Sequence, residues 1–469
     1  MTNGKTKKKM TVPSSYVIIF SVIVLIAILT WFIPAIKHAT LGMTLMAPIH
    51  GFKNGVSVIL FILIIGGYLR IVNETKSLEV GIGSIVKRLE GREVWMIPVI
   101  MFIISLGGTT YGLSDEALPI YPLLISAMLA CGFDSVTATA TILCGIISGV
   151  SGSTINPFSI SAAIDALKET GIQPNQGLIL GMGTVVWLSS YLISCLYTMR
   201  YALRVKKDPS RSVQSAAERQ QAMEIFGKET EAAENMELTP AMKKTLKLFG
   251  LSFAIMIMGL VPWQAYQIHC FDGWSAFLTG TPLGKWYFNE LCVWFLVMSF
   301  VIGFFNHFDS RKIMKLFVAG AGDLVGAALI VGLSRGVSAI MKDTGFNTYL
   351  LQVGTQALSG VPSALFSSLS YIFYSGFTFL ITSTSGLASA TIPTMGALTH
   401  SLGYAPEVMI TIYIAAHHIV GVIPTSGTIM GALNVCRIEY TTWVKFYGKL
   451  FLIISLWNLL LTGVAMVAF

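Results

Sequence analysis

A chain of 469 residues with 54% hydrophobic and 12% charged residues, at a mean hydropathy of +0.72, cannot be the surface of a soluble protein, which needs about a quarter charged residues. Its net charge of +8 sits in short basic clusters at the ends of apolar runs, where topology signals belong, rather than in a stripe that would track nucleic acid. Apolar runs of roughly 18 to 25 residues recur, the length that crosses about 30 Å of hydrocarbon as a helix, so the predicted fold class is all-α and polytopic.

Lys5, Lys7, Lys8 and Lys9 place the N-terminus in the cytoplasm, so residues 14–35 run outward and 56–72 return. The first run is too long for a signal peptide and lacks a small-residue cleavage pattern, which predicts a retained span. Residues 78–89 alternate apolar and basic positions at helical spacing over too short a length to cross, and read as a helix in the interface. Residues 94–130 hold two apolar stretches around SLGGTTYGLSDEALP. A re-entrant hairpin with its tip near Thr109 to Glu116 keeps the later basic clusters on one side. Residues 135–158 then go out as a broken span, and 178–199 return to a basic cluster at Arg200, Arg204, Lys206, Lys207 and Arg211.

The polar stretch from Lys206 to Lys244 lacks an apolar face wide enough to pack and reads as a cytoplasmic linker. Residues 246–264 exit, and 267–285 form an outer loop whose Trp274 and Trp286 suit an interface belt. Of the six cysteines only Cys270 and Cys292 are placed to meet outside the membrane. Residues 291–305 return, 323–340 exit, and 362–402, around ITSTSGLASATIP, repeat the hairpin from outside. Residues 408–433 come in as a second broken span and 446–467 end the chain. The expected organisation is a basic tail (1–13), a first repeat (14–202, hairpin 94–130, broken span 135–158), a linker (203–245), a connecting span (246–266) and a second repeat (289–469, hairpin 362–402, broken span 408–433). That gives about nine spans and two hairpins.

The halves resemble each other. TTYGLSDEALP, from Thr109, lies over STSGLASATIP, from Ser383, at an offset of 274 residues. GVSGST, from Gly149, lies over GVIPTS, from Gly421, at 272, and Glu74-Thr75 over Asp343-Thr344 at 269. The order of the matches, with opposite orientations from the topology count, predicts an inverted repeat and alternating access around a central site.

Four segments break helices at membrane depth: Thr109 to Glu116, Ser148 to Asn156, Thr382 to Ser389 and Pro424 to Gly427. Such backbone is tolerated only where protein or a water-filled cavity satisfies it. The breaks expose amide donors and carbonyls, and Thr109, Thr110, Ser153, Thr154, Asn156, Ser383, Thr384, Ser385, Thr425 and Ser426 add neutral oxygens. These can bind a substrate carboxylate, with Ser153, Thr154, Ser385 and Thr425 as the expected donors. A coupling Na⁺ can sit near Ser151, Asn156, Thr384 and Thr425. Asp115 and Glu116 are the only adjacent acids in a predicted membrane element. They can bind a cationic group, carry a coupling proton or cap the second hairpin helix. His417 and His418 cannot both face a cavity, being adjacent on a helix, and one of them is expected to serve as proton or carboxylate partner. Arg335, inside 323–340, either joins them or snorkels to the outer edge.

SLGGTTYGLSDEALPIYPLL, SGSTINPF, TSTSGLASATIP and IPTSGTIMGALNVCRIEYTTW resemble the anaerobic four-carbon dicarboxylate carrier family, and within it the branch assigned to basic amino-acid antiport. The resemblance runs from about Pro13 to the C-terminus and is low in the linker. It implies paired hairpins in an elevator-type transport domain on a scaffold, usually a homodimer, and arginine, ornithine, other amino acids or dicarboxylates as substrates. Asp115-Glu116 matches a family acidic pair, which favours a cationic substrate group. The chain departs from the family where relatives carry a Gly-Asp pair and it has Ala415-Ala416-His417-His418, so one acid that cation coupling or basic-substrate preference would use is missing.

The expected activity is therefore secondary transport of an amino acid, by exchange or with H⁺ or Na⁺, in a bacterial inner membrane, with carriage of dicarboxylates or other carboxylates as the alternative. Asp115→Asn with Glu116→Gln separates the two, since only basic-substrate binding needs both acids. No continuous polar stripe marks a channel, His417-His418 lacks the i, i+4 partner of a metalloprotease, and no P-loop marks an ATP-driven pump.

Overall fold

The apolar runs fold, in the computed structural model, into helices whose ends are set by caps and breaks rather than by hydropathy. The structure describes residues 15–78, 80–81, 84, 92–118, 120–168, 170–227, 238–261, 263–266 and 268–469. The interface helix expected over 78–89 lies mostly outside them. The first half contains α1 (Ser15–Thr30), α2 (Leu41–Glu74), α3 (Met96–Tyr111), α4 (Ile120–Ala130), α5 (Ser135–Ser151), α6 (Ala162–Lys168) and α7 (Gln176–Lys207). After α8 (Ala216–Ala222) and α9 (Pro240–Leu260), the second half contains α10 (Phe288–Phe305), α11 (Ser310–Asp323), α12 (Val325–Thr344), α13 (Phe346–Leu358), α14 (Ser363–Leu380), α15 (Thr384–Ser401), α16 (Pro406–Ala415), α17 (Gly427–Val435) and α18 (Tyr440–Ala468). Among the described residues, seven helical stretches are long and apolar enough to cross a membrane, and the chain is a multi-pass membrane protein. Exposed apolar stripes, such as Leu452, Leu456, Leu460 and Val464 on α18, give it a surface suited to lipid.

One packing unit is built on α2, which runs against α10, α11 and α12. Small residues set its spacing. A Cβ on Gly66 would lie 2.5 Å from the Gly320 carbonyl oxygen, and one on Gly320 would lie 2.3 Å from that of Gly66. Gly51 meets Gly332 and Gly336 of α12 in the same way. With no hydrophobic force between helices in lipid, such close backbone approach is what holds them together. Elsewhere α3, α5 and α7 pack on one another, α14 packs on α18, and α15 packs on α6 and α16.

Three expectations need correcting. The linker is not without partners: its residues 208–227 dock by polar contacts and by the buried side chains of Ala222 and Phe226, with 223–227 packed on α4. The Glu218 carboxylate accepts from the Glu439 backbone N–H at 3.2 Å and the Thr442 hydroxyl at 3.1 Å, at the start of α18. Gln214 donates to Ser135 at 2.9 Å, and Asp134, the N-cap of α5, accepts from the Thr137 N–H at 2.8 Å and from Tyr201 and Ser212. Carboxylates at helix N-termini satisfy backbone donors that have no partner of their own. Trp286 is buried rather than in an interface belt, because Gly259 leaves the space it fills. Cys270 and Cys292 are free thiols.

Candidate functional site

Each of the four expected segments holds a departure from α-helix, although residues 109–111, 148–151 and 384–389 within them are α-helical. α3 ends at Gly112, whose φ of 80° is left-handed and whose missing Cβ would lie 2.8 Å from Asn156 Nδ2. Glycine is required there on both counts. After α5, residues 152–156 lead into a turn of π-helix at Pro157–Ser161. In the second half, residues 381–383 separate α14 from α15. α16 tightens into a 3-10 helix at Ala416–Val422 before the break at 423–426.

The breaks surround a cavity of about 310 Å³, the lower end of the range for small-molecule sites. Of the residues singled out by sequence, Asp115, Glu116, Asn156, Ser383, Thr384, Ser385, His417 and Ser426 line it. So do Arg335, which does not snorkel away, and Asn54, Ser114, Tyr287 and Thr428, which sequence reasoning passed over. Asn54 and Tyr287 carried no signal, lying outside the breaks. Thr428 lay one residue past a predicted break and was within reach of that argument.

The break after α3 touches α17, and the start of α15 touches the turn that follows α5. The Thr428 hydroxyl of α17 donates to Asp115 Oδ1 at 2.7 Å and lies 3.1 Å from the Ser114 hydroxyl. Across the cavity, the Thr384 hydroxyl donates to the Phe158 carbonyl at 3.4 Å. Glu116 accepts from the Ser114 N–H at 2.9 Å. Both acids are buried, and among the described residues no cation lies within 4.0 Å of either. Arg335 Nη1 donates to the Asn54 carbonyl at 3.0 Å, and its charge and that of Asp115 act on each other across the cavity.

Six expected residues do not line the cavity, because the protein itself uses their hydroxyls or ring nitrogens. Thr109 and Thr154 brace two breaks to each other: the Thr154 N–H donates to the Thr109 hydroxyl at 3.1 Å, and the Thr154 hydroxyl to the Thr109 carbonyl at 3.2 Å. Ser153 donates to the Val150 carbonyl at 2.7 Å, Thr110 to that of Leu106 at 2.6 Å and Thr425 to that of Phe379 at 2.9 Å. His418 is a packing histidine, with Nδ1 3.0 Å from the Tyr371 hydroxyl, Nε2 2.9 Å from that of Ser455, and its ring stacked on Phe451. His417 is the cavity histidine, and its Nδ1 has no partner. Of the expected Na⁺ ligands, Asn156 and Thr384 share the cavity, Thr425 is engaged with Phe379, and the Ser151 hydroxyl is buried elsewhere without a partner. Asn156, Ser383 and Ser426 also cap helices, accepting from the N–H groups of Phe158, Gly386 and Ile429 at 2.9, 3.3 and 3.3 Å.

The family profile described as "DcuC: C4-dicarboxylate anaerobic carrier" matches residues 44–467. A Haemophilus influenzae protein described only as "Uncharacterized protein" is 28% identical over 85% of this chain and 73% of its own. Escherichia coli "Putative basic amino acid antiporter YfcC" is 25% identical over 97% of both. Among solved structures, the Alcanivorax borkumensis YdaH transporter is similar at 14% identity and a TM-score of 0.44, over 96% of this chain and 98% of that one. A likeness this distant leaves the fold to be argued from the chain's own packing.

Proposed function

Because the chain belongs to the C4-dicarboxylate anaerobic carrier family, a family of membrane transporters and not of enzymes, we propose that it is a secondary transporter that exchanges basic amino acids such as arginine and ornithine. The observation that carries this reading is the pair of acids lining the cavity, Asp115 and Glu116, against one guanidinium, that of Arg335, a formal charge of −1 with both carboxyls ionised. An amino acid with a cationic side chain has a net charge of +1 and leaves the loaded cavity neutral. A dicarboxylate would bring it to −3, and uncompensated buried charge costs several kcal/mol per ion. The name of the Escherichia coli relative points the same way.

The substrate's cationic groups are assigned to Asp115 and Glu116. Its carboxylate is assigned to Ser383 and Ser385 at the N-terminus of α15, where backbone N–H groups and the helix dipole favour an anion, with His417 as a neutral partner. Exchange is the favoured mode, and a coupling H⁺ or Na⁺ is compatible with His417, or with Asn156 and Thr384. Two inverted repeats and an elevator-type movement are supported by the recurring order of elements. In each half a helix or helix pair of about 35 residues (α2; α11 with α12) precedes a broken hairpin, a broken span and a long final helix. A homodimer in a bacterial inner membrane, N-terminus inside, completes the proposal from the family resemblance and the basic clusters.

The test is a melting-temperature screen of purified protein against arginine, ornithine, serine, succinate and fumarate. Arginine and ornithine are expected to stabilise the wild type, and Asp115→Asn with Glu116→Gln to abolish that response. Stabilisation by succinate or fumarate that survives the double substitution would move the assignment to dicarboxylates.

A further inference from the structure

Resting on the basic amino-acid reading, we infer that Arg335 is the device that enforces exchange: it competes with substrate for Asp115 and Glu116, and in the unloaded protein it ties hairpin to α12 so that the empty site cannot cross.

The two partners stand on different elements. Arg335 projects from α12, which is fixed along α2 by backbone approach at Gly51, Gly332 and Gly336. Gly55 of α2 makes room for its stem, since a Cβ there would lie 3.1 Å from Arg335 Cδ. The acids stand in the break between α3 and α4 and are joined to α17 through Thr428. The guanidinium has five N–H donors, and one hydrogen bond holds it, to the Asn54 carbonyl.

In this geometry the cavity separates the guanidinium from both carboxylates, and one cationic substrate fits between them by charge. When the substrate leaves, Arg335 is, among the described residues, the one Lys or Arg side chain lining the cavity that can compensate the acids. Pairing with the buried acids is charge-assisted and adds a tie between the hairpin break and α12, beside the packing of α17 on α12. A new substrate releases the tie by supplying its own cationic groups. Loaded crossing is thereby allowed and empty crossing suppressed, which is exchange.

The reading in which Arg335 holds the substrate carboxylate predicts the opposite sign for binding, so Arg335→Gln separates the two. Wild-type, Arg335→Gln and Arg335→Lys proteins are reconstituted in liposomes loaded with labelled arginine, and label loss is measured with and without external arginine. Arginine affinity is measured separately by the melting shift in detergent. In Arg335→Gln, arginine is expected to bind several-fold more tightly, and the ratio of net efflux to exchange to rise roughly tenfold, within the 5- to 150-fold span of ordinary coupling between sites. Arg335→Lys keeps a cation and is expected to retain a low ratio. Weaker arginine binding in Arg335→Gln would make Arg335 a substrate anchor and overturn the inference, as would an unchanged ratio. Wild-type protein that neither binds nor exchanges arginine would overturn the basic amino-acid reading itself, before any variant is compared.

Discussion

His417 and His418 show what one residue of displacement decides. His417 lines the cavity, with its Nδ1 buried and without a hydrogen-bond partner among the described residues, while His418 is held by Tyr371, Ser455 and the Ala415 carbonyl. His418→Ala is expected to cost about 3 kcal/mol, because it opens a cavity and strands buried hydroxyls. His417→Gln is expected to leave melting nearly unchanged while altering substrate affinity. Melting curves with and without arginine check both, and equal destabilisation would remove the distinction. The acids and the hydroxyl-rich breaks were legible in the sequence because ionisable and helix-breaking residues are costly in an apolar run. Which hydroxyls were free was not legible. Capping, bracing and ligand binding call on the same residue types, so Ser153, Thr154 and Thr425 read like donors although the protein consumes them. Arg335 was visible as a charge, but its direction depends on Gly55, which lies on another helix and outside every predicted break.

The helices themselves were legible where apolar runs were uninterrupted, as in α10, α14 and α18. α2 was not. Pro48, His50, Lys53 and Asn54 depress its hydropathy, so residues 56–72 alone looked like a span, whereas the helix runs from Leu41 to Glu74. Those polar residues have partners on the second half: His50 lies 3.3 Å from Asp343, and the Asn54 carbonyl accepts from Arg335. α11 escaped notice too, since its basic start read as a mere topology signal. Its importance lies in Gly320, packed on Gly66, while Gly322 two residues on faces open space. Gly320→Val is expected to prise α11 from α2 and destabilise the protein by about 3 kcal/mol, and Gly322→Ala to leave it within about 0.5 kcal/mol. Equal melting temperatures for the two variants in detergent would show that this backbone contact does not hold the unit together.

The halves of the molecule meet along α2 with α10, α11 and α12, through the polar segment docked on α5 and α18, and around the cavity. Its orientation is tested by Cys270, which is exposed, while Cys131, Cys144, Cys195 and Cys436 are buried and Cys292 is half-buried. A membrane-impermeant maleimide is expected to label intact cells at Cys270, and Cys270→Ala to remove most of the signal. Labelling that appears only after the cells are opened would invert the topology. The ties across the cavity are unequal. Asp115 meets Thr428 at 2.7 Å, whereas Thr384 meets the Phe158 carbonyl at 3.4 Å. A hydrogen bond to a carboxylate is about twice as strong as one between neutral groups, and the longer one is at the limit of bonding. The two contacts are therefore not equivalent: thermal motion is expected to part Thr384 from the Phe158 carbonyl more readily than Thr428 from Asp115.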